Sequence, residues 1–107
     1  MARRPPFGKS AVYEVRYTLD ALAHLDTIHS YIEAHNPVAA QRVIARIRAA
    51  AERLGEFPKM GHRGLLAGTY EWSVTGLPYI IVYDLNPDAS EVIILGVFHG
   101  AQDRENR

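Results

Sequence analysis

Cysteine is absent from this chain, so neither a disulfide framework nor a thiolate metal site is available to it. Long hydrophobic runs are also missing. No stretch approaches the roughly 20 apolar residues that a membrane-spanning helix needs. The opening Met1-Ala2-Arg3-Arg4-Pro5-Pro6-Phe7-Gly8-Lys9-Ser10 is basic but lacks the apolar segment of a signal peptide. A surplus of charge is missing too, because 12 Lys and Arg balance 12 Asp and Glu. Proteins that grip nucleic acid through its phosphates usually carry a basic excess. These absences suit a cytoplasmic protein with no membrane, metal or cofactor, and they disfavour a purely electrostatic hold on RNA or DNA.

What is present is a globular composition. Hydrophobic residues are 48 % and charged residues 22 %, which argues against disorder. The 107 residues suffice for one small domain. Residues 1–11, with their Pro and Gly, read as a flexible lead-in, and 12–107 as the domain.

Val12 to Thr18 alternates and is rich in β-formers, which predicts a strand. From Leu19 the period changes: Leu22, Leu25, Ile28 and Ile32, with Tyr31 beside them, predict a helix to about His35, with Thr18 as its N-cap. Asn36-Pro37 is a cap followed by a first-turn proline. It opens a second helix, 37–54, whose apolar stripe is Ala40, Val43, Ile44, Ile47, Ala51 and Leu54 and which Gly55 and Pro58 stop. Residues 58–69 carry three glycines and read as loop, with room for a short edge strand. Tyr70–Val74, Tyr79–Leu85 and Glu91–His99 read as strands joined by the turns Gly76-Leu77-Pro78 and Asn86-Pro87-Asp88-Ala89-Ser90. The expected architecture is α+β, β-α-α-β-β-β: an antiparallel sheet with a helical hairpin packed on one face.

Several segments carry a resemblance to a known family. Leu25-x-x-Ile28-x-x-Tyr31-Ile32, Pro37-x-x-Ala40, then Ile47, Leu54, Pro58 and Gly61, resemble RelE/ParE toxins. So do the block Gly76 to Tyr83 and the ending Val92-Ile93-Ile94-Leu95-x-Val97-x-His99-Gly100. The similarity runs from about residue 12 to 104. It implies the toxin of a bacterial type II toxin–antitoxin module of the plasmid-stabilisation kind, neutralised by a cognate antitoxin protein. RelE-like members cut mRNA on the ribosome, whereas ParE-like members poison DNA gyrase.

Ribonuclease chemistry needs groups that take and return protons and cations that hold the phosphorane charge. Candidate catalytic residues are therefore His99 at the end of the last strand, Arg63 in the glycine-rich loop and Arg104 in the tail. The RelE-like pattern places a basic pair just after the last strand and a tyrosine several residues on. Here Gly100 follows His99, and Asn106 falls near the tyrosine position. Tyr70 stands where many relatives carry Arg after Gly-Thr. These departures favour the ParE-like branch, acting by protein contact with gyrase. A ribosome-dependent mRNA endonuclease and a degenerate antitoxin binder without toxicity are the alternatives, so enzymatic activity stays open.

Partner-binding candidates are Tyr70 and Trp72, which share a strand face, and Arg63. A partner can add a strand at an open sheet edge and lay an amphipathic helix across apolar surface. Arg42, Arg46 and Arg53 fall near one face of the second helix, with Arg48 to the side. The ordinary meaning of such a face is solvation. His24, His29 and His35 share no helical stripe, so they form no metal-binding pattern.

Overall fold

In the computed structural model of the chain, residues 12–100 are described; the lead-in expected over 1–11 and Arg104 lie outside them. In chain order the elements are β1 (Glu14–Tyr17), α1 (Leu19–Glu33), α2 (Pro37–Glu56), β2 (His62–Arg63), β3 (Tyr70–Ser73), β4 (Tyr79–Asn86) and β5 (Glu91–His99). Both helix starts follow local chemistry. The Thr18 hydroxyl accepts the Ala21 N–H at 3.0 Å, and the Asn36 side-chain carbonyl accepts that of Ala39 at 3.0 Å, with Pro37 in the first turn behind it.

The five strands lie in the order β1-β5-β4-β3-β2. β2 through β5 pair antiparallel, as short connections require. β1 departs from the expected antiparallel sheet, because it runs parallel to β5, with Tyr17 opposite Ile94. The sheet is therefore mixed. No tight turn joins β1 to β5, so their relative direction is set by where the helical hairpin delivers the chain. β2 is the short edge strand for which the glycine-rich loop left room.

The two helices cover one face. Leu25, Ile47, Ala51 and Leu54 from the helices meet Ile81, Tyr83, Val92, Ile94 and Val97 from the sheet. In α1 the buried residues are Ala21 and Leu25, while Leu22 and Tyr31 from the expected stripe are exposed. The reason is position. β1 stops at Tyr17, and α1 then runs along the edge of β5 that β1 leaves open. The Thr18 N–H donates to the Ile94 carbonyl at 3.0 Å, and the Val97 N–H donates to His24 Nδ1 at 3.2 Å. A helix beside an edge buries a narrower stripe than one lying across a face.

Candidate functional site

The β2–β3 region is built on Tyr83. This fully buried side chain donates its hydroxyl proton to the Pro58 carbonyl at 2.8 Å and accepts the Gly61 N–H at 3.0 Å. Burial raises its pKa above the ordinary 10.0, so it is a neutral structural hydroxyl. Gly61 has no room for a side chain, since an added Cβ would sit 2.6 Å from the Tyr83 hydroxyl and from the Glu71 carbonyl oxygen. Tyr70 stacks on the Tyr83 ring at 5.4 Å. The loop then closes over the opposite face of β3. There the buried carboxylate of Glu71 accepts the Leu65 N–H at 3.2 Å and lies 3.9 Å from exposed His62. Arg63, next in the chain, is exposed and opposite Tyr70.

Tyr70 and Trp72 face the helices rather than the open side. Their register partners, Tyr83 and Ile81, are core residues, and both aromatics are half-buried at the core margin. Trp72 looks onto α2 across a recess of about 300 Å³, lined also by Arg46, Ala49, Ala50, Met60 and Val74. Arg46 reaches over to donate to the Thr75 carbonyl. This ties α2 to the β3–β4 turn, where Gly76 adopts a positive φ of 79°.

His99 sits elsewhere. It makes an edge-on contact with Tyr79, ring centroids 5.7 Å apart, in a cleft of about 530 Å³ that also holds His24, Tyr31 and Phe98. Burial, and then the nearby Tyr31, raise the Tyr79 pKa above its ordinary value. Among the described residues, no Lys or Arg lines this cleft. Arg63 is level with Tyr83 and three strands away from β5, whereas His99 is level with Tyr79. At about 4.8 Å per strand and 3.3 Å per residue, they stand roughly 20 Å apart. The structure thus keeps these two catalytic candidates separate, while it places Tyr70 and Arg63 together at the β2–β3 edge.

Residues 15–104 match the model of the family described as the ParE toxin of type II toxin-antitoxin system, parDE. The chain belongs to this family. The Sinorhizobium fredii protein Y4kP is 44 % identical over 88 residues, spanning 82 % of this chain and 88 % of its own length. The Caulobacter vibrioides protein Toxin RelE2 is 40 % identical over 70 residues, 65 % of this chain and 77 % of its own. Among solved structures, a chain of the chromosomal ParDE TA system from P. aeruginosa superposes with a TM-score of 0.75 at 18 % identity, covering 84 % of this chain and 98 % of that one. A chain of the toxin–antitoxin complex RelBE2 from Mycobacterium tuberculosis gives 0.62 at 27 % identity, covering 85 % and 94 %. The toxin is thus a type II toxin of the RelE/ParE superfamily with the α+β fold of that group.

Reading the sequence missed two residues that shape this toxin's surface. Glu71 alternates with Tyr70 and Trp72 and so reads as solvent-facing; only the return of residues 64–69 buries it. His24 has the spacing of an ordinary helix-surface residue, and nothing local marks it as the acceptor that closes the β5 edge.

Proposed function

We propose that the toxin acts by binding a protein target, DNA gyrase, and that a cognate antitoxin neutralises it by covering its surface. The observation that carries this reading is the dispersal of the nuclease candidates. Cutting RNA requires a proton carrier and a cation at one phosphate. Among the described residues, the His99 cleft has no Lys or Arg in its lining, and Arg63 lies roughly 20 Å away across the sheet. The open sheet face adds little positive charge: its register places Glu14, Arg16, Asp84 and Glu91 there, with Arg16 paired to Glu91 at 3.5 Å. By contrast, half-buried aromatics and a recess at the core margin suit contact with protein. Arg63, Tyr70 and Trp72 are the partner-binding residues in this reading.

The experiment is expression of the toxin without its antitoxin. The expected result is filamentation with induction of the DNA-damage response, and trapping of gyrase cleavage complexes by the purified protein. Codon-phased mRNA cuts in ribosome profiling, with no gyrase trapping, would overturn the reading in favour of the nuclease.

A further inference from the structure

Charge is neutral in total but not in place. Among the described residues, Arg42, Arg46, Arg48, Arg53, Lys59 and Arg63 all lie between positions 42 and 63, and Arg16, outside that span, is paired with Glu91. α1 is the opposite: it carries Asp20, Asp26 and Glu33 and neither Lys nor Arg. The cleft of about 530 Å³ that holds His99 lies between α1 and the end of β5, and among the described residues none of α2 lines it. It therefore opens on the side of the molecule where carboxylates, not cations, are found.

Its walls are rings. Five of the eight residues lining it are His24, Tyr31, Tyr79, Phe98 and His99. His24 and Phe98 meet with centroids 4.9 Å apart, and Tyr79 and His99 at 5.7 Å. His24 brings a ring without a charge. Its Nδ1 accepts the Val97 N–H at 3.2 Å, so that nitrogen holds no proton and the imidazole is neutral. Asp20, His24, Ile28 and Tyr31 recur at helical spacing and share one stripe of α1. Tyr31, exposed, stands at the mouth, and Ile28 follows it inward. His24 lies roughly 10 Å from Tyr31 along the axis at 1.5 Å per residue, and Asp20 about 6 Å beyond His24. The cleft is thus long and narrow, with an apolar stretch, a pair of rings and then a carboxylate.

That sequence of surfaces selects an occupant. An anion would meet π faces and a carboxylate with no cation to receive it. A short apolar side chain would cover Ile28 but leave the far end unused. An arginine has an apolar stem for the middle of the cleft, and its planar guanidinium stacks on a ring while it donates to a carboxylate.

We propose that this cleft receives an arginine side chain of the toxin's protein target, which enters past Tyr31 and sets its guanidinium on His24 and Phe98 beside Asp20. The proposal rests on the reading that the toxin acts by contact with a protein, and it gives that contact a second place, remote from Arg63.

The probe is the peptide acetyl-Gly-Arg-Gly-amide, titrated into the full toxin chain and followed by NMR shifts. Its counterpart with citrulline has nearly the same shape and no charge. The arginine peptide should shift His24 and Phe98, and the citrulline peptide should bind roughly 3- to 30-fold more weakly. Asp20→Asn, at an exposed position, and Phe98→Leu should each weaken the arginine peptide by a similar factor. Asp26→Asn, on another stripe of α1, should leave it unchanged, and the two carboxylate variants should melt close to the parent. Equal binding of the two peptides would make the cleft a pocket for a neutral side chain and overturn the proposal. So would an Asp20→Asn variant that binds like the parent, or an arginine peptide that does not bind. The second arm is trapping of gyrase cleavage complexes. Asp20→Asn, and Tyr31→Lys, which sets a competing cation at the mouth, should each require several-fold more toxin. If the parent traps gyrase and both variants trap it equally well, the cleft does not meet the target and the proposal fails while the functional reading stands. If the parent traps no gyrase, the functional reading fails, and the peptide titration alone decides whether the cleft takes an arginine.

Discussion

Replacing Tyr83 by phenylalanine removes one oxygen and keeps the ring, so the core stays filled and the stack with Tyr70 is preserved. What goes is the donor to the Pro58 carbonyl at 2.8 Å and the acceptor for the Gly61 N–H at 3.0 Å. Each such bond contributes about 0.5–1.5 kcal/mol net, and an orphaned buried partner costs more. Pro58 and Gly61 are partly exposed, so water can replace some of the loss. The expected destabilisation is about 1–3 kcal/mol. In a domain of this size that lowers Tm by roughly 5–20 °C. It is also a sizeable part of the ~5–15 kcal/mol that holds a typical domain together. The assay is urea denaturation with an unchanged m-value, beside Tyr31→Phe, whose side chain is 72 % exposed and which should move stability by less than about 0.5 kcal/mol. Because the hydroxyl anchors the segment leading to Arg63, hydrogen exchange at Gly61 and Arg63 should speed up before the rest of the sheet responds. Equal stability of the two variants, or unchanged exchange there, would refute the anchoring role.

Ile47→Ala, at a fully buried site, should cost about 2–5 kcal/mol in the same assay, and a loss below 1 kcal/mol or so would mean that α2 presents another face. Gly55→Ala improves helix propensity by roughly 1 kcal/mol, yet its Cβ would fall 2.6 Å from the Tyr13 carbonyl oxygen. A net loss of about 1–3 kcal/mol is therefore expected, and a gain would contradict the close approach of α2 to β1. Burial raises the Tyr17, Tyr79 and Tyr83 pKa values above 10.0, so the folded state holds these protons more tightly than the unfolded chain. Their contribution to stability is full below pH 10 and is lost as pH rises through the folded-state values; denaturation curves that strengthen above pH 10 would reverse that sign. His99→Ala should leave gyrase trapping intact, whereas loss of an mRNA-cutting activity by ~10²–10⁴-fold would identify it as an acid–base catalyst.

The parts of this protein legible in its sequence are those governed by neighbours along the chain. Thr18 and Asn36-Pro37 set the helix starts because a capping oxygen needs only the next few amides. The runs at Tyr79 and Glu91, with short turns between strands, dictated three antiparallel strands, since a short connection leaves no other pairing open. The order of elements, with its hydrophobic spacing, was enough to suggest the RelE/ParE group. Tertiary structure decided what depends on distant segments meeting. β1 runs parallel to β5 because the helical hairpin, not a turn, carries it there. Tyr70 and Trp72 face α2, a choice that alternation alone leaves undecided between two sides. Glu71 is buried by a loop that returns over it, and His24 closes a strand edge 73 residues away. Balanced charge concealed the gathering of arginines along α2, because net charge sums over the chain while a binding surface depends on where each side chain comes to lie.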